Sequence, residues 1–167
     1  MDKRAQDAFI DSWGQMGSLW GINASTARIH ALLMASEESL SLDEIATRLN
    51  ISRGNASMCL KDLRNWGVVR LLKLGGDRRD YYVSEPDVWK MFFAIARERK
   101  RRELDPAVAA AREVLTEVDD ESEAGQRMHQ LTDLLNTLSR IADRVLDDPE
   151  KAKFLISFMS EGKGPLG

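Results

Sequence analysis

Apolar positions along the chain recur mostly at helical spacing, with one short stretch where they do not. Phe9, Trp13, Met16 and Trp20 lie four, three and four residues apart, on one face of a helix that stops near Gly21. Ile29, Leu32 and Leu33 mark a second helix, with Asn23 or Ser25 as its N-cap. Ser41-Leu42-Asp43-Glu44 fits a capping box, followed by the buried positions Ile45, Ala46 and Leu49. After the break Asn50-Ile51-Ser52, with Ser52 as the next cap, a helix runs from about Arg53 to Trp66 with Ala56, Leu60 and Leu63 inward. Gly67 ends it.

The helical period then lapses. Val68 to Leu74 is rich in β-branched and apolar residues, Gly75-Gly76-Asp77 has turn chemistry, and Asp80 to Val83 again reads as strand. Together they predict a β-hairpin with a basic tip. Helices resume beyond it. Pro86 is expected at a first helical position, and Val88, Phe92 and Ile95 supply an apolar stripe. Asp105-Pro106 repeats the cap-then-proline signature ahead of Val108, Ala111, Leu115 and Val118. Ser122 caps a longer helix in which Met128, Leu131, Leu135, Leu138, Ala142 and Val145 alternate by three and four, supplemented by Leu134 and Ile141. Asp148-Pro149 opens a last helix with Leu155, Phe158 and Met159, and 162–167 reads as a disordered tail.

The predicted fold is therefore mostly α, a winged helix-turn-helix with a small β-hairpin wing and a helical dimerisation region. Its expected parts are an N-terminal helix contributing to dimerisation (1–22), the winged domain (23–84), the dimerisation helices (85–161) and the tail.

Charge changes the picture. The 167 residues carry a formal net charge of −3, which by itself argues against nucleic acid. The distribution reverses that for one span: 41–83 holds eight basic and five acidic side chains, net +3, whereas 104–167 holds seven basic and thirteen acidic, net −6. A local basic surface is what phosphate binding requires. One cysteine, Cys59, allows no disulfide within the chain, and with His30 and His129 dispersed no metal spacing exists. No secretory leader is expected in the charged opening residues, and apolar runs fall short of the ~18 residues of a membrane span. With no nucleophile motif, phosphate loop or paired carboxylates, the chain reads as a non-enzyme without a cofactor, in a reducing cytoplasm.

The candidate chemistry lies at the start of the second helix of the pair. Ser52, Arg53, Gly54, Asn55 and Ser57 are small or polar, and the apolar face begins only at Ala56. Small residues let a backbone approach the major groove, and Arg and Asn can pair bidentately with guanine and adenine. The readout is assigned to Ser52 through Lys61. Arg78 and Arg79 at the hairpin tip suit a flanking minor groove and its phosphates. Asp77 would be odd at such a surface unless it orients a neighbouring arginine. The alternative is a winged-helix protein–protein module that binds no DNA.

These residues resemble the MarR superfamily, in its GbsR-type branch. The resemblance rests on Trp13-Gly14, Met16-Gly17, the runs 28–33, 41–46, 51–57 and 63–70, and Gly76-Asp77-Arg78-Arg79-Asp80-Tyr81-Tyr82. Asp77-x-Arg79 is similar to the wing signature whose arginine enters the minor groove in that family. About half the chain is covered. The resemblance implies a homodimer, mostly of repressor function, and some GbsR-type members sense choline or related osmoprotectants.

Three further features each have two readings. The seam of Met128, Leu131, Leu135, Leu138 and Val145 is expected to be a dimer interface, the alternative being core within one chain. The basic run 97–102 reads first as a solvated helix end and otherwise as a phosphate contact. Trp13, Trp20, Trp89 and Phe92 are ordinary core by type, and otherwise an aromatic cage for a small-molecule effector such as a quaternary ammonium.

Overall fold

The computed structural model describes residues 2–160. The tail expected at 162–167 lies outside them. Eight α-helices and three strands follow in the order α1 (Lys3–Leu19), α2 (Ala24–Met34), β1 (Leu40–Ser41), α3 (Leu42–Leu49), α4 (Arg53–Asn65), β2 (Val69–Lys73), β3 (Asp80–Ser84), α5 (Val88–Arg99), α6 (Asp105–Leu115), α7 (Glu123–Asp147) and α8 (Pro149–Ser160). Among the described residues no helix is long and apolar enough to cross a membrane. The chain divides into two compact units between Met91 and Phe92, inside α5.

The first unit is the winged helix-turn-helix. Its core is Ile29, Leu32 and Leu33 of α2, Ile45 and Leu49 of α3, Ala56, Leu60 and Leu63 of α4, and Val68 and Val69 leading into β2. The helix starts follow from their caps. Asn23 Oδ1 accepts from the amides of Ser25 and Thr26, Ser52 Oγ from that of Asn55, and Ser41 with Glu44 forms a reciprocal capping box. The turn between α3 and α4 passes through Asn50 in the left-handed region, φ 52°, which asparagine tolerates better than most residues.

Small residues bring α1 onto α2. A Cβ added to Gly17 would stand 2.4 Å from Ala27 Cβ, and one at Gly14 would stand 2.6 Å from Arg28 Cγ. The glycines of the Trp13-Gly14 and Met16-Gly17 pairs thus mark a helix crossing. The sheet has the order β1-β3-β2, antiparallel throughout, with Leu40 opposite Tyr82 and Val69 opposite Ser84. β1 was not expected, because two residues are too few to show a period.

Two expected helix starts differ. Pro86 is not the first helical residue; α5 begins at Val88, where Asp87 Oδ1 accepts from the amides of Trp89 and Lys90. Asp105-Pro106 does not open a new helix after a break. A π-helical turn, Lys100–Leu104, carries the chain from α5 into α6, and the Asp105 amide reaches back to Lys100 O. A proline in a running α-helix removes a donor and collides with the carbonyl four residues earlier, and a widened turn is one way to accommodate it. The Asp105 carboxylate pairs with Lys100 rather than capping.

In the second unit α6 and α7 pack together, with Thr132 facing Ala111 O and Arg112 Nε donating to Asn136 at 3.1 Å. Ser122 caps α7 through the Gly125 amide at 2.9 Å, and a Cβ at Gly125 would collide with Asp119 O. The apolar positions of α7 split between two faces. Met128 and Leu135 are half-buried, whereas Leu131, Leu134, Leu138, Ile141 and Val145 are 37–54% exposed. The exposed set is spaced three, four, three, four, so it forms its own continuous seam.

Candidate nucleic-acid interface

α4 buries Ala56, Cys59, Leu60 and Leu63 and turns Arg53, Gly54, Ser57, Met58 and Lys61 to solvent. The inward positions follow the helical period, so the outward ones are fixed by the same phase. A Cβ at Gly54 would meet nothing within 4 Å, which leaves the first turn of α4 open to close approach. Ser52, expected at the interface, is exposed and serves as the N-cap.

The polar side chains of that turn are partly engaged. Arg53 Nε pairs with Asp43 of α3 at 3.0 Å, with both side chains largely exposed. Asn55 is half-buried; its Nδ2 donates to Ser25 Oγ at 3.2 Å, and its Oδ1 accepts from Cys59 Sγ at 3.4 Å. In this arrangement Asn55 links the start of α4 to the start of α2. By sequence Ser25 is a cap candidate, and nothing in the sequence pairs it with a residue thirty positions away.

The wing tip is a preorganised cation. Asp77 accepts from the Arg79 amide (2.9 Å), from Arg79 Nε (2.9 Å), from Arg79 Nη2 (2.7 Å) and from Tyr81 OH (2.8 Å). The Arg79 guanidinium lies 5.3 Å from the Tyr81 ring centroid, within cation–π range. These bonds, those from Arg79 foremost, hold the Asp77 carboxyl far below the usual carboxylate range, and the same contact raises Arg79 further. The acid that looked out of place orients Arg79. Arg78 is exposed and makes no hydrogen bond or ion pair among the described residues. Lys73 and Asp80 pair across the base of the hairpin.

The other candidates are placed as follows. In the basic run, Arg97 donates to Leu146 O, Arg99 pairs with Glu103, Lys100 with Asp105 and Asp143, and Arg101 with Glu98. Three of the five cations of the run are thus paired with carboxylates within the second unit. Trp13 packs against Phe9 and edge-on to His30, with centroid distances of 5.5 and 6.2 Å. Trp20 is the exposed C-cap of α1, Trp89 is half-buried, and Phe92, in the second unit, is set edge-on to Phe93. Cys59 is buried, and the described residues contain no group of three or more His, Cys, Asp or Glu suited to a metal ion.

Comparison with known proteins agrees with this architecture. The MarR family profile matches residues 20–80, the helix-turn-helix and most of the wing. The chain is 27% identical over 157 residues to the HTH-type transcriptional repressor GbsR of Bacillus subtilis (strain 168), covering 86% of this chain and 87% of that one. A solved structure described as a transcriptional regulator shares the fold, with a TM-score of 0.70, 24% identity, and coverage of 88% of this chain and 99% of that one. The helix-turn-helix and wing of residues 20–80 match the MarR family, and along most of its length the chain is similar to GbsR.

Proposed function

We propose that the chain is a homodimeric, sequence-specific DNA-binding repressor. The observation that carries the DNA reading is the wing. Its one tip carboxylate is committed to Arg79 and Tyr81, so the tip presents Arg78 and an oriented Arg79 to an anionic partner. α4 adds an exposed polar first turn with Arg53, Gly54 and Ser57, and Lys61 two turns on. The groove contacts are assigned to these residues with Ser52, while Asn55 acts by fixing the start of α4 as well as by facing a base. Repression is the reading supported by the likeness to a protein named as a transcriptional repressor.

The dimer reading rests on the second unit. Its described residues bury only Phe93, Val108, Leu146 and Ala152 among apolar side chains, while Leu131, Leu134, Leu138, Ile141, Val145, Phe154 and others stay exposed. So small a core cannot offset the entropy of ordering such a unit. A second copy on the Leu131–Val145 seam supplies the missing burial. Met128 and Leu135 then belong to the chain's own packing rather than to the interface. Release by a small-molecule effector completes the proposal. It is checked by thermal shift with choline, betaine and aromatic acids.

The test is fluorescence anisotropy on duplexes selected from a random pool, across a salt series. Log affinity is expected to fall linearly with log salt, and Arg78→Ala to weaken all sequences alike while reducing the slope by about 1 per protomer. Arg53→Ala is expected to relax preference at one position by roughly 1–3 kcal/mol. Absence of salt-dependent duplex binding would hand the winged unit to a protein partner.

A further inference from the structure

From the exposed face of α4 we infer that Met58 reads the 5-methyl group of a thymine in the half-site; this rests on the DNA-binding reading above. Met58 is 67% exposed, although its neighbours Cys59 and Leu60 are buried. It stands off the apolar phase of the helix, so no repacking within the first unit takes it in. It projects from the same stripe as Gly54, one turn before it, and Lys61 and Asp62, one turn after it. Gly54 leaves space for the helix to approach, and Lys61 is an exposed cation on the far side.

The chemistry of the groove then selects the partner. On the major-groove edges of the four bases the readable groups are hydrogen-bond donors and acceptors, and the one apolar group that projects beyond the ring C–H edge is the thymine methyl. A thioether side chain donates nothing and accepts weakly. Against cytosine N4 or guanine O6 it would desolvate a polar group without return; against the methyl it buries apolar surface on both sides. Its unbranched, flexible chain lets it follow the methyl within a groove held by the flanking polar contacts. Methionine by type suggests core, but the phase of Ala56, Leu60 and Leu63 places Met58 outside it.

The experiment uses the full-length protein and its selected duplex. Each thymine is replaced singly by deoxyuridine, which deletes the methyl and leaves every hydrogen bond in place. Wild type is expected to lose about fourfold in affinity per half-site at one position, the worth of one buried methyl, and about fifteenfold when both halves of a palindrome are changed. Met58→Ala is expected to bind the thymine and uracil duplexes equally, and Met58→Leu to keep the discrimination. Because Met58 is exposed, both variants should melt with wild type. A penalty identical in wild type and Met58→Ala, no penalty at any position, or a half-site with no thymine overturns this inference and leaves the DNA-binding reading standing. Failure of wild type to select any duplex overturns both.

Discussion

At the scale of single residues, burial and pairing decide what a side chain can do. His30 is 3% exposed on α2, with its ring edge-on to Trp13. Burial pushes its imidazole down from 6.5 to about 4, so the folded protein holds it neutral at neutral pH. Between those values the unfolded chain takes up a proton that the folded chain refuses. The stabilising contribution is therefore complete above about pH 6.5 and is lost as pH falls toward 4. Relative to His30→Met, wild type should lose on the order of 2–3 kcal/mol more between pH 7 and 4.5, measured by urea unfolding at both values. Parallel losses would show that the ring is not held neutral. The same distinction separates what was legible in the candidate site from what was not. The polar, exposed character of Ser52–Ser57 and Arg78–Arg79 was legible by residue type, and the need to explain Asp77 anticipated its bond to Arg79. The Asn55–Ser25 bond was not legible, since it depends on which face of α4 meets α2.

At the scale of elements, caps carried most of the legible information, because a cap is a local event written in adjacent residues. Ser41 and Ser52 give similar sequence signals, yet their surroundings differ. Ser41 is buried, its amide and hydroxyl both donate to Glu44 Oε2, at 2.8 and 2.6 Å, and it also lies in β1. Ser52 is exposed and accepts a single bond from Asn55. Ser41→Ala is expected to cost about 2 kcal/mol, the upper end for a cap, and Ser52→Ala about 0.5–1, compared as shifts in the denaturation midpoint at constant slope. Equal losses would mean that the reciprocal bonds of Glu44 add nothing. Where a boundary depended on distant context the sequence misled. Asp105-Pro106 has the form of a helix start, but the chain runs through it on a π-helical turn whose Lys100 is tied to Asp143 of α7. β1 was invisible for the same reason, as it exists only through its pairing with Tyr81 and Tyr82.

At the scale of the whole molecule, the two units have opposite economies. The first buries a core drawn from α1 to β3, and among the described residues of the second, half of the large apolar side chains stay exposed. The seam written in α7 mixed two faces, since a three-four alternation from Met128 to Val145 does not say which stripe packs inward and which stays exposed. The structure divides them: Leu134 and Ile141, secondary in the pattern, stand between Leu131, Leu138 and Val145 on the exposed side. A charge placed there discriminates the two roles. If the seam is solvated in the native state, Leu134→Glu with Ile141→Glu changes stability by at most about 0.5 kcal/mol, as surface substitutions do. If it is buried against a second copy, the pair of carboxylates must be desolvated or the copies must part. Wild type is then expected to sediment as a dimer with a melting temperature that rises with protein concentration, and the double variant as a monomer whose melting is lower and independent of concentration. Duplex affinity should fall with it, because each half-site loses the link that made the second contact intramolecular. A variant that remains dimeric would move the interface off α7 and leave its exposed seam without a role in assembly.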